Sequence, residues 1–409
     1  MSITWILPVS LVLIVVLIRR KIPIGLSILA GGFLMWATLG GTFLNLWEAV
    51  LATVEKPRTY DLLFALYFVM CLEIQLRRSG TLQGMVAALN RIFHSTKVTI
   101  ASMPAFLGLL PSMGGARFSA PIVEQACKGH EVPAESKAAI NFWFRHIFEF
   151  CNPIIPGMLL ACGIVGIHIS DLAVHLFWLT VFAYAAGWFI LVRPLKIHEP
   201  ERTPMSSEDR RKYALDITLA FLPIFANIFL MIAFGLPAAV SMGIVVAGMV
   251  PVLMIFHRKV DVGEIVKGAF DWRLLLNIVA IFYFIEILTA SGIIDQITAM
   301  FRAMPFPVPV ILTMTSFVIG ILTGLSQGHV AMVMPIVAAL APGDLVLTGA
   351  VLVFGVAGQM ITPTHVCLTI TVDYFKSDFL KTLIPVVILE VILLTVFTAW
   401  TLVSTGYFA

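Results

Sequence analysis

The chain has few ionisable residues, and several of them stand where they could do chemistry. Arg117 lies two residues past the stretch Ser112-Met113-Gly114-Gly115. A guanidinium there could hold a carboxylate or other oxyanion through its planar fork of donors. Arg145, His146 and Glu149 approach the pair Asn152-Pro153, and Arg145 and Glu149 have the four-residue spacing of an ion pair on one helical face. His329 and His365 flank a second set of Ser, Gly, Thr and Pro residues and could carry a coupled proton. Each could equally be a satisfied structural histidine. Glu286 sits in an apolar run with no partner evident in sequence. The segment Gly324-Leu325-Ser326-Gln327-Gly328 fits G-x-S-x-G, the nucleophile elbow of serine hydrolases, and would make Ser326 an intramembrane nucleophile. An elbow needs a strand before the serine, whereas the run before Ser326 is apolar and helical in length. The hydrolase is therefore kept as the alternative from another functional class. No H-E-x-x-H and no Walker-type phosphate loop occurs, so nothing here supports ATP-driven pumping.

The elements that must position these residues are membrane helices. Apolar residues make up 60% of the 409 and charged residues 12%, about half the charged share of a soluble domain. Mean hydropathy is +1.00. Apolar runs near 3–18, 22–40, 60–77, 138–167, 172–192, 213–234, 236–256, 273–293, 345–371 and 379–404 reach the length that spans hydrocarbon. Runs 98–126 and 307–340 are interrupted by polar and helix-breaking residues. Leu44–Val54 and Val260–Phe270 are short amphipathic stretches suited to the membrane surface. The first apolar run is not a signal peptide, because Arg19-Arg20-Lys21 follows it. The five cysteines show no paired ligand spacing and read as reduced and structural.

Charge distribution sets the expected topology. Basic residues in short loops favour the cytoplasm. Lys97 and Lys128 flank the interrupted run 98–126 and can both be cytoplasmic only if that run enters the membrane and returns as a re-entrant hairpin. The Arg193–Lys212 segment, His257-Arg258-Lys259 and Lys376/Lys381 then fall on the same side. Little beyond Lys56, Arg58 and Arg302 is left outside. The alternative is a twelve-span protein without hairpins.

The polar segment also divides the chain. Residues 1–193 and 213–409 read as two halves joined by a cytoplasmic linker, 194–212. Ser112–Val123 aligns with Ser326–Val337 at an offset of 214 (326 less 112), with Ser, Gly, Pro, Ile and Val coinciding without a gap. Ser79-Gly80 matches Ser291-Gly292, and Asn152-Pro153 matches Thr362-Pro363. Four landmarks in one order point to an all-α integral membrane fold of two inverted repeats. Each repeat would have about five crossings, a re-entrant hairpin and a broken helix. Proline and glycine interrupt helical ladders, and in hydrocarbon such breaks persist only where protein or a watery cavity receives them. Ligands gather there, anions at free helix N-termini and cations at unwound carbonyls. The tips and breaks thus make Ser112, Gly114, Gly115, Arg117, Asn152, Ser326, Gln327, Gly328, Thr362 and Thr364 candidate substrate ligands. Ser112, Asn152, Ser326, Thr362, His329 and His365 are candidates for a coupling ion or proton.

At these tips and breaks the sequence resembles the ion transporter superfamily of divalent-anion, citrate and gluconate permeases and the large membrane subunit of TRAP transporters. Leu109-Leu110-Pro111-Ser112-Met113-Gly114-Gly115-Ala116-Arg117 most resembles a bacterial family of unknown function, number four hundred and one in its series. The resemblance implies secondary active transport by an elevator motion in the bacterial inner membrane. It also implies that Ser112, Gly114, Asn152, Ser326, Gly328 and Thr362 line substrate and cation sites. Sodium-coupled dicarboxylate carriers have Ser-Asn-Thr at each tip, where this chain has Ser-Met-Gly and Ser-Gln-Gly. Both Na+ and H+ therefore stay open as coupling ions. The expected partners are a small-molecule or ion substrate and the lipid bilayer, with no nucleic acid, no cofactor beyond the coupling ion, and a homodimer as the assembly considered. A cation/proton antiporter and a channel are the neighbouring alternatives.

Overall fold

The computed structural model describes residues 2–92, 95–109, 116–197 and 206–407, without the side chains of Asn90 and Arg117. Every regular element among them is helical. The first ten helices are α1 (Ile3–Arg19), α2 (Ile24–Thr38), α3 (Phe43–Glu55), α4 (Pro57–Arg78), α5 (Thr81–Ile92), α6 (Thr96–Gly108), α7 (Ala116–Ala126), α8 (Ala134–His146), α9 (Pro156–Val165) and α10 (Ile169–Gly187). A 3₁₀ turn, Ile147–Phe150, follows α8, and a π segment, Trp188–Val192, extends α10. The next ten are α11 (Ser207–Phe234), α12 (Ala238–Ile255), α13 (Val262–Ala269), α14 (Trp272–Ala290), α15 (Ile293–Arg302), α16 (Val308–Thr323), α17 (Ser326–Leu340), α18 (Leu345–Met360), α19 (Val366–Phe375) and α20 (Phe379–Thr405). Because α11 begins at Ser207, the last residues of the polar segment 194–212 are already helical.

Local chemistry explains the boundaries. Thr42 and Asn45 close a capping box on α3, and Asp261, Asp271, Asp344 and Asp378 accept backbone N–H groups at the starts of α13, α14, α18 and α20. Pro57 and Pro156 open α4 and α9 at the position where a missing donor costs nothing. Gly80 and Gly292 end the turns after α4 and α14 with φ of +75° and +65°, in the left-handed region that favours glycine.

Helix contacts repeat as the sequence does. Helix α2 packs on α14 and α12 on α4; α3 on α14 and α13 on α4; α5 on α11 and α15 on α1. Likewise α7 packs on α19 and α17 on α9, while α8 meets α20 and α18 meets α10. Each pair maps onto its companion when the two sets of ten are exchanged, the relation expected of an internal two-fold. Helices α1–α5 and α11–α15 form one group, and α6–α10 with α16–α20 form the other.

Six described helices are long and apolar enough to cross a membrane: α4, α10 with its π extension, α11, α12, α14 and α20. Helices α1 and α2, at 17 and 15 residues, are shorter. The apolar runs 138–167 and 345–371 are each divided into two helices around 151–155 and 361–365. Large apolar side chains are exposed at helical spacing, as in Val174, Phe177 and Val181 of α10 and Leu380, Ile384, Ile388 and Val391 of α20. Such stripes face lipid in a multi-pass protein.

Candidate functional site

The site is built where the second hairpin meets both breaks. Helices α16 and α17 pack on each other and are joined by only Gly324 and Leu325. Gly324 has φ +65°, and a methyl group on it would come within 2.6 Å of the Thr364 hydroxyl oxygen. Ser326 opens α17, and Gly157, the second residue of α9, lies so close that a methyl there would fall 2.8 Å from Ser326 Cβ. The starts of α9, α17 and α19 thus gather at one tip. None of the three has a side-chain cap on its free N–H groups. Uncapped helix N-termini carry partial positive charge and unpaired donors, so the place is suited to an anion.

The predicted residues divide into distinct environments. Ser326 and Gln327 are partly exposed at the tip, and Gly328 is buried against Thr323. Thr362 is buried, and its hydroxyl lies 3.0 Å from that of Thr364, which reaches the Ile321 carbonyl at 3.4 Å. Asn152 is buried and engaged at both ends. Its amide donates to the Leu109 carbonyl at 2.8 Å, and its side-chain carbonyl accepts Ile154 N–H at 3.2 Å. The Asn152 side chain therefore ties the first break to the end of α6. Ser112, Gly114 and Gly115 lie outside the described residues, as does the side chain of Arg117, whose backbone is the second residue of α7.

His329 and His365, which flank the second set of Ser, Gly, Thr and Pro residues, have separate partners. Ser316 donates to the Val351 carbonyl at 2.8 Å, so its oxygen accepts from His329 Nδ1 at 3.1 Å. The His329 ring fills the space that a side chain on Gly355 would need. This histidine is fully buried in the α16–α17–α18 contact. His365 instead meets His146 across the two breaks, with their Nε2 atoms 3.1 Å apart.

The expected Arg145–Glu149 bridge gives way to other bonds. Arg145 Nη1 donates to the Leu107 carbonyl at 3.2 Å, Gln359 donates to Glu149, and Glu149 Oε1 is 4.0 Å from His146 Nε2. The α-helix ends at His146, and the 3₁₀ turn that follows rotates Glu149 off the face Arg145 occupies. Glu286, partnerless in sequence, is 3% exposed and bonded by both Lys56 and Arg58 at 2.6 Å. Ser326 follows helix α16 and a two-residue turn, so the strand of a hydrolase elbow is replaced by helix.

Sequence reasoning missed His146 as the partner of His365, Gln359 as that of Glu149, and Gly157 as the contact of Ser326. Only Gly157 had a local signal: the Pro156-Gly157 pair marks a helix start that another backbone can approach closely.

No curated protein matches the chain in sequence. Among solved structures it is similar in fold to the YdaH transporter of Alcanivorax borkumensis, whose topology is described as unusual. The TM-score is 0.60 at 15% identity, over 85% of each chain. The family model described as protein of unknown function (DUF401) matches residues 3–404, and the chain belongs to that family.

Proposed function

We propose that this protein is a secondary active transporter that carries a small anionic solute across the bacterial inner membrane, driven by Na+ or H+. The observation that carries this reading is the convergence of the uncapped starts of α9, α17 and α19 at one tip, drawn from both halves of the chain. The transporter fold of its structural relative supports the same class. Ser326, Gln327, Gly328 and Thr364 are the proposed substrate contacts, and Ser112, Gly114, Gly115 and Arg117 are proposed beside them from the sequence repeat alone. Thr362 and the unwound carbonyls around Asn152 are proposed for the coupling cation.

An elevator motion fits the grouping of the helices. The hairpins and broken helices, α6–α10 with α16–α20, would move against α1–α5 with α11–α15. A cavity of about 220 Å³ lies along this boundary, between Arg58 and Asp61 of α4, Cys162 and Gly163 of α9, and the α11–α12 turn. The halves would insert with opposite sense and the two hairpins would be re-entrant. A thermal-shift screen of purified protein against organic and inorganic anions, with and without Na+ and at two pH values, tests the reading. Binding to the native state should raise the melting temperature by mass action. Transport in proteoliposomes of any anion that stabilises should then follow an imposed Na+ or H+ gradient. Solute flux indifferent to both gradients would point to a channel instead.

A further inference from the structure

We infer that His146, His365 and Cys367 form a binding site for a borderline-soft metal cation of the zinc class, held between the two broken helices. His146 ends α8, His365 caps α19, and Cys367 is the second residue of α19. Their ligand atoms all lie within 4.8 Å of one another. The two histidine Nε2 atoms are 3.1 Å apart. Two imidazoles on one tetrahedral zinc, with bonds of about 2.0–2.1 Å, hold their nitrogens about 3.3 Å apart. The pair therefore already has nearly the spacing that a shared ion imposes.

The tautomer fits as well. His146 Nδ1 is 2.6 Å from the Phe142 carbonyl and can only donate to it, which leaves the Nε2 lone pair facing His365. A ring N–H fixed on a backbone carbonyl is the usual outer support of a metal-bound histidine. Glu149 Oε1 lies 4.0 Å from His146 Nε2 but outside this cluster, so the three side chains supply three of a tetrahedral ion's four ligands. Two nitrogens and one sulfur suit zinc better than the oxygen-seeking Mg2+ or Ca2+. Both histidines are about nine-tenths buried or more, and Cys367 remains partly exposed, giving the ion a route in.

The proton balance is explicit. Without metal, the His365 Nε2 proton bridges to the His146 lone pair. On binding, that proton shifts to Nδ1 of the same neutral ring, the Cys367 thiol loses its proton to solvent, and both Nε2 atoms and the thiolate bond to the cation. Uptake should therefore release about one proton per ion and weaken as pH falls, the charged groups facing the site being the Arg145 guanidinium beside Cys367 and the Glu149 carboxyl beside His146. The inference stands apart from the transport reading, because binding is measured with no transported solute present.

Full-length protein in detergent, stripped with a chelator, would be titrated with Co2+ as an optical stand-in for Zn2+. One equivalent should produce the visible bands of a tetrahedral site together with a near-ultraviolet thiolate-to-cobalt band, both erased by Zn2+. Cys367→Ser should abolish the thiolate band and weaken Zn2+ binding at least about tenfold, the scale of losing a ligand or its support. His365→Gln should weaken it similarly, and Cys127→Ser should leave it unchanged. Failure of the wild-type protein to take up either ion at micromolar concentration would overturn the proposal. So would a wild-type spectrum without the thiolate band, which needs no variant to fold.

Discussion

The two breaks interrupt equivalent helices by different chemistry. In the first, a 3₁₀ turn precedes the break, and Asn152 spans it with two hydrogen bonds, one reaching the end of α6. In the second, α18 runs unaltered to Met360, the hydroxyls of Thr362 and Thr364 and the Ile321 carbonyl are engaged, and His365 meets His146 of the first half. Each break is tied to its own hairpin by a side chain, the first by the shorter bond, Asn152 to Leu109 at 2.8 Å against Thr364 to Ile321 at 3.4 Å. The second is held by weaker hydroxyl contacts and by a backbone approach, Gly324 against Thr364. If the site is the proposed one, a repeat symmetric in backbone and unequal in bonding would let one copy hold shape and leave the other freer to exchange partners with a ligand.

Substitutions can break this comparison. Gly157→Val should have the largest effect, because its side chain would enter the space of Ser326 and separate α9 from α17. Anion binding should fall more than tenfold in a thermal-shift or equilibrium assay, with misfolding read separately by size exclusion. Asn152→Ala should come next and act chiefly on stability. It removes two buried hydrogen bonds and strands the Leu109 carbonyl, at a cost of about 2–3 kcal/mol, visible as a lower melting temperature without any ligand. Thr362→Ala should show the opposite balance, about 1 kcal/mol of stability but a clear loss of cation-dependent transport. Equal stability losses at Asn152 and Thr362 would remove the distinction drawn between the breaks. Ser326→Ala should be the mildest, weakening binding several-fold with little change in melting. Stoichiometric labelling of Ser326 by a fluorophosphonate would instead revive the hydrolase.

Topology can be tested apart from chemistry. Cysteines placed at Lys97 and Lys128 should both react from the cytoplasmic face, and one at Arg302 from the outside. Reaction of the first two from opposite faces would eliminate the re-entrant hairpin.

Signals that depend on nearest neighbours were legible in the sequence. Proline, glycine and small hydroxyl residues act on their own backbone, so the breaks at Asn152-Pro153 and Thr362-Pro363 stand where the residue types put them. The turn falls at Gly324-Leu325, just before the tip expected at Ser326–His329, which is the first turn of α17. The all-helical class followed from the apolar runs, whereas the short helices α5 and α15 left no apolar run of spanning length to announce them. Contacts between distant segments were not legible. His146 and His365 are 219 positions apart and Lys56 and Glu286 are 230 apart, and nothing local to either pair announces the other. The Arg145–Glu149 expectation failed for a different reason. A spacing of four marks one face only while the helix remains α, and here it tightens at Ile147.

The exchanged packing of α7 on α19 and α17 on α9 also bears on how the chain is made. Helix α9 must wait for α17, whose first residue lies 170 positions beyond Pro156 (326 less 156). At a synthesis rate of about 5–20 residues per second, that interval is roughly 10–35 s. Throughout it, the nascent first half would hold a broken, polar segment without its mate. The Asn152–Leu109 bond joins two segments made within the same half, so it can form before the second half exists. The second break needs no such brace, since every partner it meets from the first half has already been synthesised. A stalled ribosome–nascent chain ending before α11 should therefore shield the native Cys151 from thiol reagents better with Asn152 in place than with Asn152→Ala.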